Sequence, residues 1–189
     1  MSLHEPALAG SMEQEAFFQM TEIPDDDALL DVWHETTLRV RYAETDQMGV
    51  VYHANYLIWF EIGRTEFCRA RGFSYRDMEA DSNAFLVVAE SYCRYKAPAR
   101  YDDELLVRTH VTELRRRSVR FGYEIVRLSD DHIIAEGETG HVVTDANGRV
   151  ISMPDIYRQL LSSKPVAANA SSAPPIPPRG GRVPEEGAP

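Results

Sequence analysis

The chain has 189 residues, of which 43% are hydrophobic and 26% are charged, a balance typical of one globular domain with tails. Its formal net charge of -10 argues against general nucleic-acid binding, which usually needs a basic face. No run approaches the roughly 20 apolar residues of a transmembrane segment, and the start lacks the basic and apolar regions of a secretory signal. Two cysteines are too few for a disulfide framework, so we expect a cytoplasmic protein.

The two ends of the chain differ in composition from its middle. Residues 1–33 are crowded with acidic side chains, and we interpret them as a peripheral extension. Residues 164–189 are rich in Pro, Ala and Gly and have little to bury, so we predict a disordered tail. The predicted domain therefore comprises residues 34–163.

The first two predicted elements are a strand and a long helix. Residues 36–44 alternate apolar and charged side chains, which is the pattern of a half-buried strand. Apolar side chains then recur at helical spacing from about His53 until Gly72, a typical C-terminal capping residue. Because this helix is apolar over much of its circumference, we expect a sheet to wrap around it.

Strand-like runs follow a predicted loop at 74–84. They cover residues 85–95, 104–114, 118–128 and 133–144. Asn147-Gly148 favours a hairpin that returns the chain as a short strand at 149–152, and a short helix is predicted at 154–163. Since crossover helices are missing, this order predicts an α+β fold with an antiparallel sheet around one helix.

Asp46 lies in the loop between the first strand and the long helix, where Gly49 permits a tight turn. A carboxylate beside the unpaired N–H groups of a helix start suits acyl transfer, because those groups can stabilise an oxyanion. By position alone, however, such an Asp is more often a turn or capping residue. His53 and Asn55 can equally be plain helix-start residues.

The sequence around Asp46 resembles a known family. "RYAETDQMGVVYHANY", followed by "FEIGRTE" and later by "YKAPARYDDEL", is similar to the 4-hydroxybenzoyl-CoA thioesterase-like family. The nearest likeness is to the short-chain acyl-CoA thioesterases encoded beside the bacterial Tol–Pal system, over residues 34–157. The resemblance implies a hot-dog fold, in which an antiparallel sheet wraps one long helix. It also implies hydrolysis of an acyl-CoA thioester to a free acid and coenzyme A, without a cofactor.

The resemblance further implies roles for individual residues. Asp46 would be the catalytic carboxylate, attacking the thioester carbonyl directly or activating water. The N–H group of His53 would polarise that carbonyl, its side chain would assist, and Tyr42 would line the site. Substrate-binding residues are expected at Gly49, Val51, Tyr52, Asn55, Arg94, Lys96, Arg100 and Arg117.

The basic members of that set are the expected partners of the coenzyme A phosphates, since arginine binds phosphate through its bidentate fork. A solvated hairpin explains the run Arg115–Arg117 about as well. Glu61 with Arg64 is expected to form a pair on the helix surface or at a subunit interface. The resemblance implies a homodimer with active sites between subunits, and we expect these dimers to pair into a dimer of dimers.

Other chemistries have weaker support. The histidines show no metal-ligand spacing, so no metal is predicted, and neither a phosphate-binding glycine loop nor a Gly-x-Ser-x-Gly elbow is present. Asp46 and His53 could pair for proton transfer in a hot-dog hydratase or dehydratase, although the Asp-x-Asn-Pro-x-x-His arrangement is missing. A non-catalytic acyl-CoA-binding protein is the third alternative.

Overall fold

The computed structural model describes residues 32–163, so the predicted acidic extension up to residue 31 and the predicted tail from 164 lie outside the described residues. Within this range there are five strands: β1 (His34–Arg39), β2 (Phe85–Tyr95), β3 (Glu104–Leu114), β4 (Ser118–Arg127) and β5 (His132–Thr144). The same range contains three α-helices: α1 (Asn55–Ala70), α2 (Tyr75–Ser82) and α3 (Asp155–Ser162).

The five strands form one antiparallel sheet in the order β1-β3-β4-β5-β2. The long helix α1 packs against it: Phe60 stacks on Tyr123 of β4 with ring centroids 4.3 Å apart, and Phe67 meets Phe121 edge-on. At Gly63 the helix comes so close to β3 that an added Cβ would lie 2.4 Å from Thr109 Oγ1. The predicted hot-dog arrangement is therefore confirmed.

The first predicted strand was too long. β1 ends at Arg39, and Tyr42–Glu44 form a 3-10 turn in which the Glu44 carboxylate accepts the Arg41 backbone N–H at 2.7 Å. The long helix begins at Asn55, two residues after His53, because the chain first makes a turn closed by the Asn55 N–H on the Tyr52 carbonyl.

The predicted loop at 74–84 was wrong, because it contains α2. Ser74 and Asp77 form a capping box: the Ser74 hydroxyl accepts the Asp77 N–H, and the Asp77 carboxylate accepts the Ser74 N–H. The predicted strand at 149–152 is reduced to one bridge between Thr144 and Val150. The other strands match their predicted bounds to within one residue.

β2 is an edge strand with an unusual amount of exposed apolar surface. Val87 and Val88 are each about half exposed, and Tyr92 is 61% exposed. On α1, Leu57, Ile58 and Ile62 are exposed as well. A long apolar edge that is left open in a single chain favours pairing with another strand.

Both cysteines are free thiols, Cys68 buried in the core and Cys93 half-buried on β2. Burial raises the pKa of Cys68 to about 12, so this thiol stays protonated near pH 7 and packs as a small hydrophobic side chain. None of the helices between residues 32 and 163 is long and apolar enough to cross a membrane.

Candidate active site

Asp46 forms a tight turn. Its N–H donates to the Val50 carbonyl and its own carbonyl accepts the Gly49 N–H, both at 2.9 Å. Oδ1 of its carboxylate accepts the Met48 N–H at 2.8 Å, and Gly49 has a φ of 70°, which favours glycine. The turn thus fixes one carboxylate oxygen, while Oδ2 has no hydrogen-bond donor among residues 32–163.

The two ends of this turn are fastened to each other and to the segment that follows β2. Thr45 and Val51 form an antiparallel bridge. The Val51 N–H donates to the Ala99 carbonyl at 2.8 Å, and the Arg100 guanidinium donates to the Gly49 carbonyl at 3.3 Å. The position of the turn is therefore set by tertiary contacts as well as by its own hydrogen bonds.

Glu44 is a buried carboxylate beneath the turn, only 5% exposed. It accepts hydrogen bonds from the Arg41 backbone N–H, the Arg41 guanidinium at 2.8 Å and the Trp59 indole N–H at 3.3 Å. Burial acts to raise the pKa of Glu44, but these donors outweigh it and the pKa lies below its ordinary value. The Glu44 carbonyl accepts the Tyr52 N–H at 2.9 Å and the Asn55 side-chain amide at 2.8 Å.

The approach to α1 leaves backbone donors unpaired. The N–H groups of His53 and Ala54 have no acceptor in the described part of the chain. Such groups at a helix start favour negative charge. The His53 carbonyl accepts the Tyr95 hydroxyl at 3.1 Å, so the peptide after His53 is held by the end of β2.

An open pocket of about 300 Å³ lies between the start of α1 and the end of β2. It is lined by Val51, His53, Tyr56, Tyr95, Lys96, Ala97 and Pro98. Burial raises the pKa of Tyr56, whose hydroxyl accepts the Ala99 N–H, and raises the pKa of Tyr95 to about 12. Both phenols therefore stay neutral near pH 7, and the pocket offers apolar and aromatic walls with a lysine among them.

Comparison with known proteins identifies the family. Residues 40–179 match the model of the thioesterase-like superfamily. The chain belongs to this superfamily. The acyl-CoA thioester hydrolase YbgC of Escherichia coli O157:H7 is 40% identical over 108 residues, which are 57% of this chain and 79% of that protein.

Two solved structures share the fold of this thioesterase-like chain. The DHNA-CoA thioesterase of Staphylococcus aureus has a TM-score of 0.65 and 30% identity, over 69% of this chain and 89% of that one. The hypothetical protein TT1821 of Thermus thermophilus has a TM-score of 0.64 and 36% identity, over 69% of this chain and 95% of that one. The predicted family is thereby confirmed.

The structure gathers only some of the predicted site residues of this thioesterase-like chain. Val51, His53 and Lys96 line the pocket, and Lys96 forms an ion pair with Glu136. Neither Asp46 nor Tyr42 lines it. Tyr42 is 78% exposed, and its ring meets Tyr101 edge-on with centroids 5.7 Å apart.

Four further predicted binding residues do not line the pocket. Tyr52 is half exposed, and its ring centroid lies 4.3 Å from that of His53. The Asn55 side-chain amide donates to the Glu44 carbonyl. Gly49 and Arg100 contact each other at the Asp46 turn. These residues therefore border the helix start without all facing the pocket.

Two predicted arginines are on β2 and on the β3–β4 hairpin. Arg94 is exposed opposite Glu136 of β5. The Arg117 carbonyl accepts the Val143 N–H, whereas Tyr95 beside the pocket pairs with Ala135. From Ala135 to Val143 is roughly 25 Å of strand, so Arg117 cannot reach the pocket of its own chain.

Sequence reasoning missed four residues that build this region, Glu44, Tyr56, Trp59 and Tyr95. Glu44 was placed at the end of the first predicted strand, although a Glu at the third position of a turn can accept the N–H of the residue before that turn, as in a capping box. The roles of Tyr56 and Tyr95 depend on contacts across more than forty residues of sequence, 43 and 42 respectively, which local patterns do not reveal.

Proposed function

We propose that this protein hydrolyses acyl-CoA thioesters to a free carboxylic acid and coenzyme A. The observation that carries the proposal is that a turn bearing a carboxylate and a helix start bearing unpaired N–H groups are tied together through Glu44. The names of the Escherichia coli and Staphylococcus aureus proteins, a thioester hydrolase and a CoA thioesterase, support the same chemistry.

In the proposed reaction the thioester carbonyl lies at the start of α1. The N–H groups of His53 and Ala54 would donate to its oxygen and stabilise the oxyanion, with the His53 side chain assisting nearby. Asp46 would use Oδ2, the carboxylate oxygen left without a donor. It either attacks the carbonyl to form an anhydride that water then hydrolyses, or removes a proton from water that attacks. In both routes the C–S bond breaks and coenzyme A leaves as a thiolate that takes up a proton.

The proposed site uses only side chains, backbone donors and water, with coenzyme A as part of the substrate and without a cofactor. The acyl and pantetheine parts of the substrate would be bordered by Val51, Lys96, Tyr52 and Asn55. Tyr42 and Gly49 would lie beside the catalytic turn. Arg94 and Arg100 would meet the phosphates. We place the reaction in the cytoplasm, which suits a chain whose two cysteines are both free thiols.

We propose that the working unit is a homodimer joined through β2, with further pairing into a dimer of dimers. Two β2 edges paired antiparallel would cover the exposed valines and continue the sheet. Such pairing sets the Phe85 end of one strand beside the Tyr95 end of the other. Arg117 lies near the Phe85 end, so in this arrangement Arg117 of the partner subunit approaches the pocket and its phosphate ligand.

The test is release of free thiol from a panel of acyl-CoA substrates by the purified protein. We expect thiol release from the wild type and a loss of at least 100-fold in Asp46→Asn, roughly the cost of removing a catalytic group. Consumption of an enoyl-CoA without thiol would favour a hydratase instead. Binding of acyl-CoA with neither reaction would favour a non-catalytic acyl-CoA-binding protein.

A further inference from the structure

We propose that Glu44 is a positioning residue that holds the Asp46 turn and the start of α1 in one fixed arrangement. The inference rests on the proposed function, because it concerns the geometry of the same site. A carboxylate that is 5% exposed has to be matched by donors, and Glu44 has three. Arg41 is the one charged residue that bonds it within the described range.

The two polar groups of Glu44 bond to different parts of the site. The carboxylate bonds to Trp59, which is 1% exposed in the second turn of α1. The carbonyl bonds to the Tyr52 N–H and to the Asn55 amide, on either side of His53. Glu44 therefore connects the buried face of α1 with the backbone segment that carries the unpaired N–H of His53.

Asp46 follows Glu44 by two residues, so the orientation of Glu44 also sets where the catalytic turn starts. The Glu44 carbonyl is held towards Tyr52 and Asn55, and the bridge from Thr45 to Val51 comes directly after it. If the Glu44 side chain turned away, both the start of the Asp46 turn and the Tyr52–Asn55 segment would lose their common support. The distance between carboxylate and oxyanion donors would then no longer be fixed.

The carboxylate is suited to this role because each of its partners is a donor. An amide of the same shape would present an NH₂ group to at least one N–H, leaving both without an acceptor in a buried place. The backbone can relieve that conflict by shifting. A displacement of about 1 Å is enough to cost on the order of 100-fold in rate at a positioned site.

The experiment is Glu44→Gln, assayed for thiol release and for thermal stability, with Glu79→Gln as the matched control. Glu79 is exposed on α2, and its side chain forms no hydrogen bond or ion pair within the described residues. We expect kcat of Glu44→Gln to fall about 10- to 100-fold while KM changes about twofold or less. The control should keep both values. A wild-type kcat in folded Glu44→Gln would overturn the inference.

A second readout does not depend on activity. The sequence has two tryptophans, Trp33 and Trp59, so the indole N–H signals of ¹⁵N-labelled protein report on Glu44 with an internal reference. In Glu44→Gln we expect the Trp59 indole signal and the Asp46 and His53 amide signals to move while the Trp33 signal stays. Unmoved Asp46 and His53 amides would overturn the inference.

The two proposals fail in different ways. A wild type that releases no thiol from any acyl-CoA contradicts the proposed function, and positioning by Glu44 is then judged by the amide signals alone. If Glu44→Gln does not fold, Trp59→Phe removes the indole donor, at the cost of some buried volume, and keeps an aromatic ring in the core. A moderate fall in its kcat, about threefold or more, would support positioning, and an unchanged kcat would contradict it.

Discussion

Tyr95 shows how a single hydroxyl can order a helix start from another element. It donates to the His53 carbonyl at 3.1 Å, and its ring packs edge-on against Tyr56 with centroids 5.0 Å apart. Burial, with the Cys93 thiol nearby, raises the pKa of Tyr95 to about 12, so the hydroxyl keeps its proton and remains a donor. The peptide that precedes the first turn of α1 is thus fixed from outside the helix.

Tyr95→Phe tests this contact. Because the ring stays and one hydrogen bond is lost, we expect kcat to fall about threefold to tenfold, the equivalent of roughly 1 kcal/mol. The shape of the pH profile should not change. Tyr101→Phe is the control, since the Tyr101 hydroxyl forms no hydrogen bond within residues 32–163. An unaltered kcat in Tyr95→Phe would contradict a role in ordering His53.

At the scale of elements, three buried polar side chains of β4 and β5 form a hydrogen-bonded group beneath α1: Tyr123, Thr139 and His141. The Tyr123 hydroxyl lies 2.6 Å from Thr139 Oγ1, which lies 2.9 Å from His141 Nε2. His141 is 2% exposed. Burial, followed by the charge of Arg64, lowers its pKa to about 3, so the folded protein keeps the ring neutral.

Because His141 of this hydrogen-bonded group is held neutral, we expect the folded protein to lose stability in acid. An unfolded histidine takes up a proton near pH 6.5, while the folded His141 resists it until about pH 3. Between these values the unfolded state binds more protons, so the free energy of unfolding falls as pH falls, by up to about 1.4 kcal/mol per pH unit from this group. The measurement is urea denaturation at several pH values from 7 to 4. The free energy of unfolding should fall less steeply with falling pH in His141→Gln than in the wild type. His132→Gln, at an exposed position, should keep the wild-type slope, and equal slopes in all three would contradict the assignment.

Some elements could be predicted from local patterns and others could not. The spacing of apolar residues located α1, and strand-like runs bounded by turn signals located β2 and β3 to the residue. The helix α2 was missed because it is short and polar, although Ser74 and Asp77 at its start form a readable capping signal. At the proposed site, the motif predicted Asp46 and His53, whereas Glu44 was not predicted, because its burial depends on Trp59 fifteen residues away.

At the scale of the whole molecule, the open edge of β2 is an apolar surface that a single chain leaves exposed within residues 32–163. Its exposed Tyr92 lies near the strand end that borders the pocket, whereas its exposed valines lie near the other end of the strand. Pairing through this edge would reduce the exposure of these side chains. It would also bring Arg117 of the partner subunit towards the pocket, which Arg117 of the same chain cannot reach. The proposed dimer is thus part of the proposed site.

Val88→Lys tests the dimer, because a charged side chain on an edge strand opposes pairing. Sedimentation is expected to give the wild type at least twice the chain mass of 21.4 kDa and the variant a smaller mass, with thiol release falling in parallel. Thr37→Lys is the matched control on the opposite edge, where it is exposed on β1. A monomeric wild type with full activity would contradict the proposal.

The central claim is that Asp46 is the catalytic carboxylate of an acyl-CoA thioesterase, and a matched pair of turn variants tests it most directly. Asp145 caps another turn in the same way, accepting the Asn147 and Arg149 N–H groups at 2.8 and 2.9 Å. Thiol release per folded protein should fall at least 100-fold in Asp46→Asn and remain within about twofold of wild type in Asp145→Asn. Equal thiol release by wild type and folded Asp46→Asn would contradict the claim and leave Asp46 as a turn residue alone.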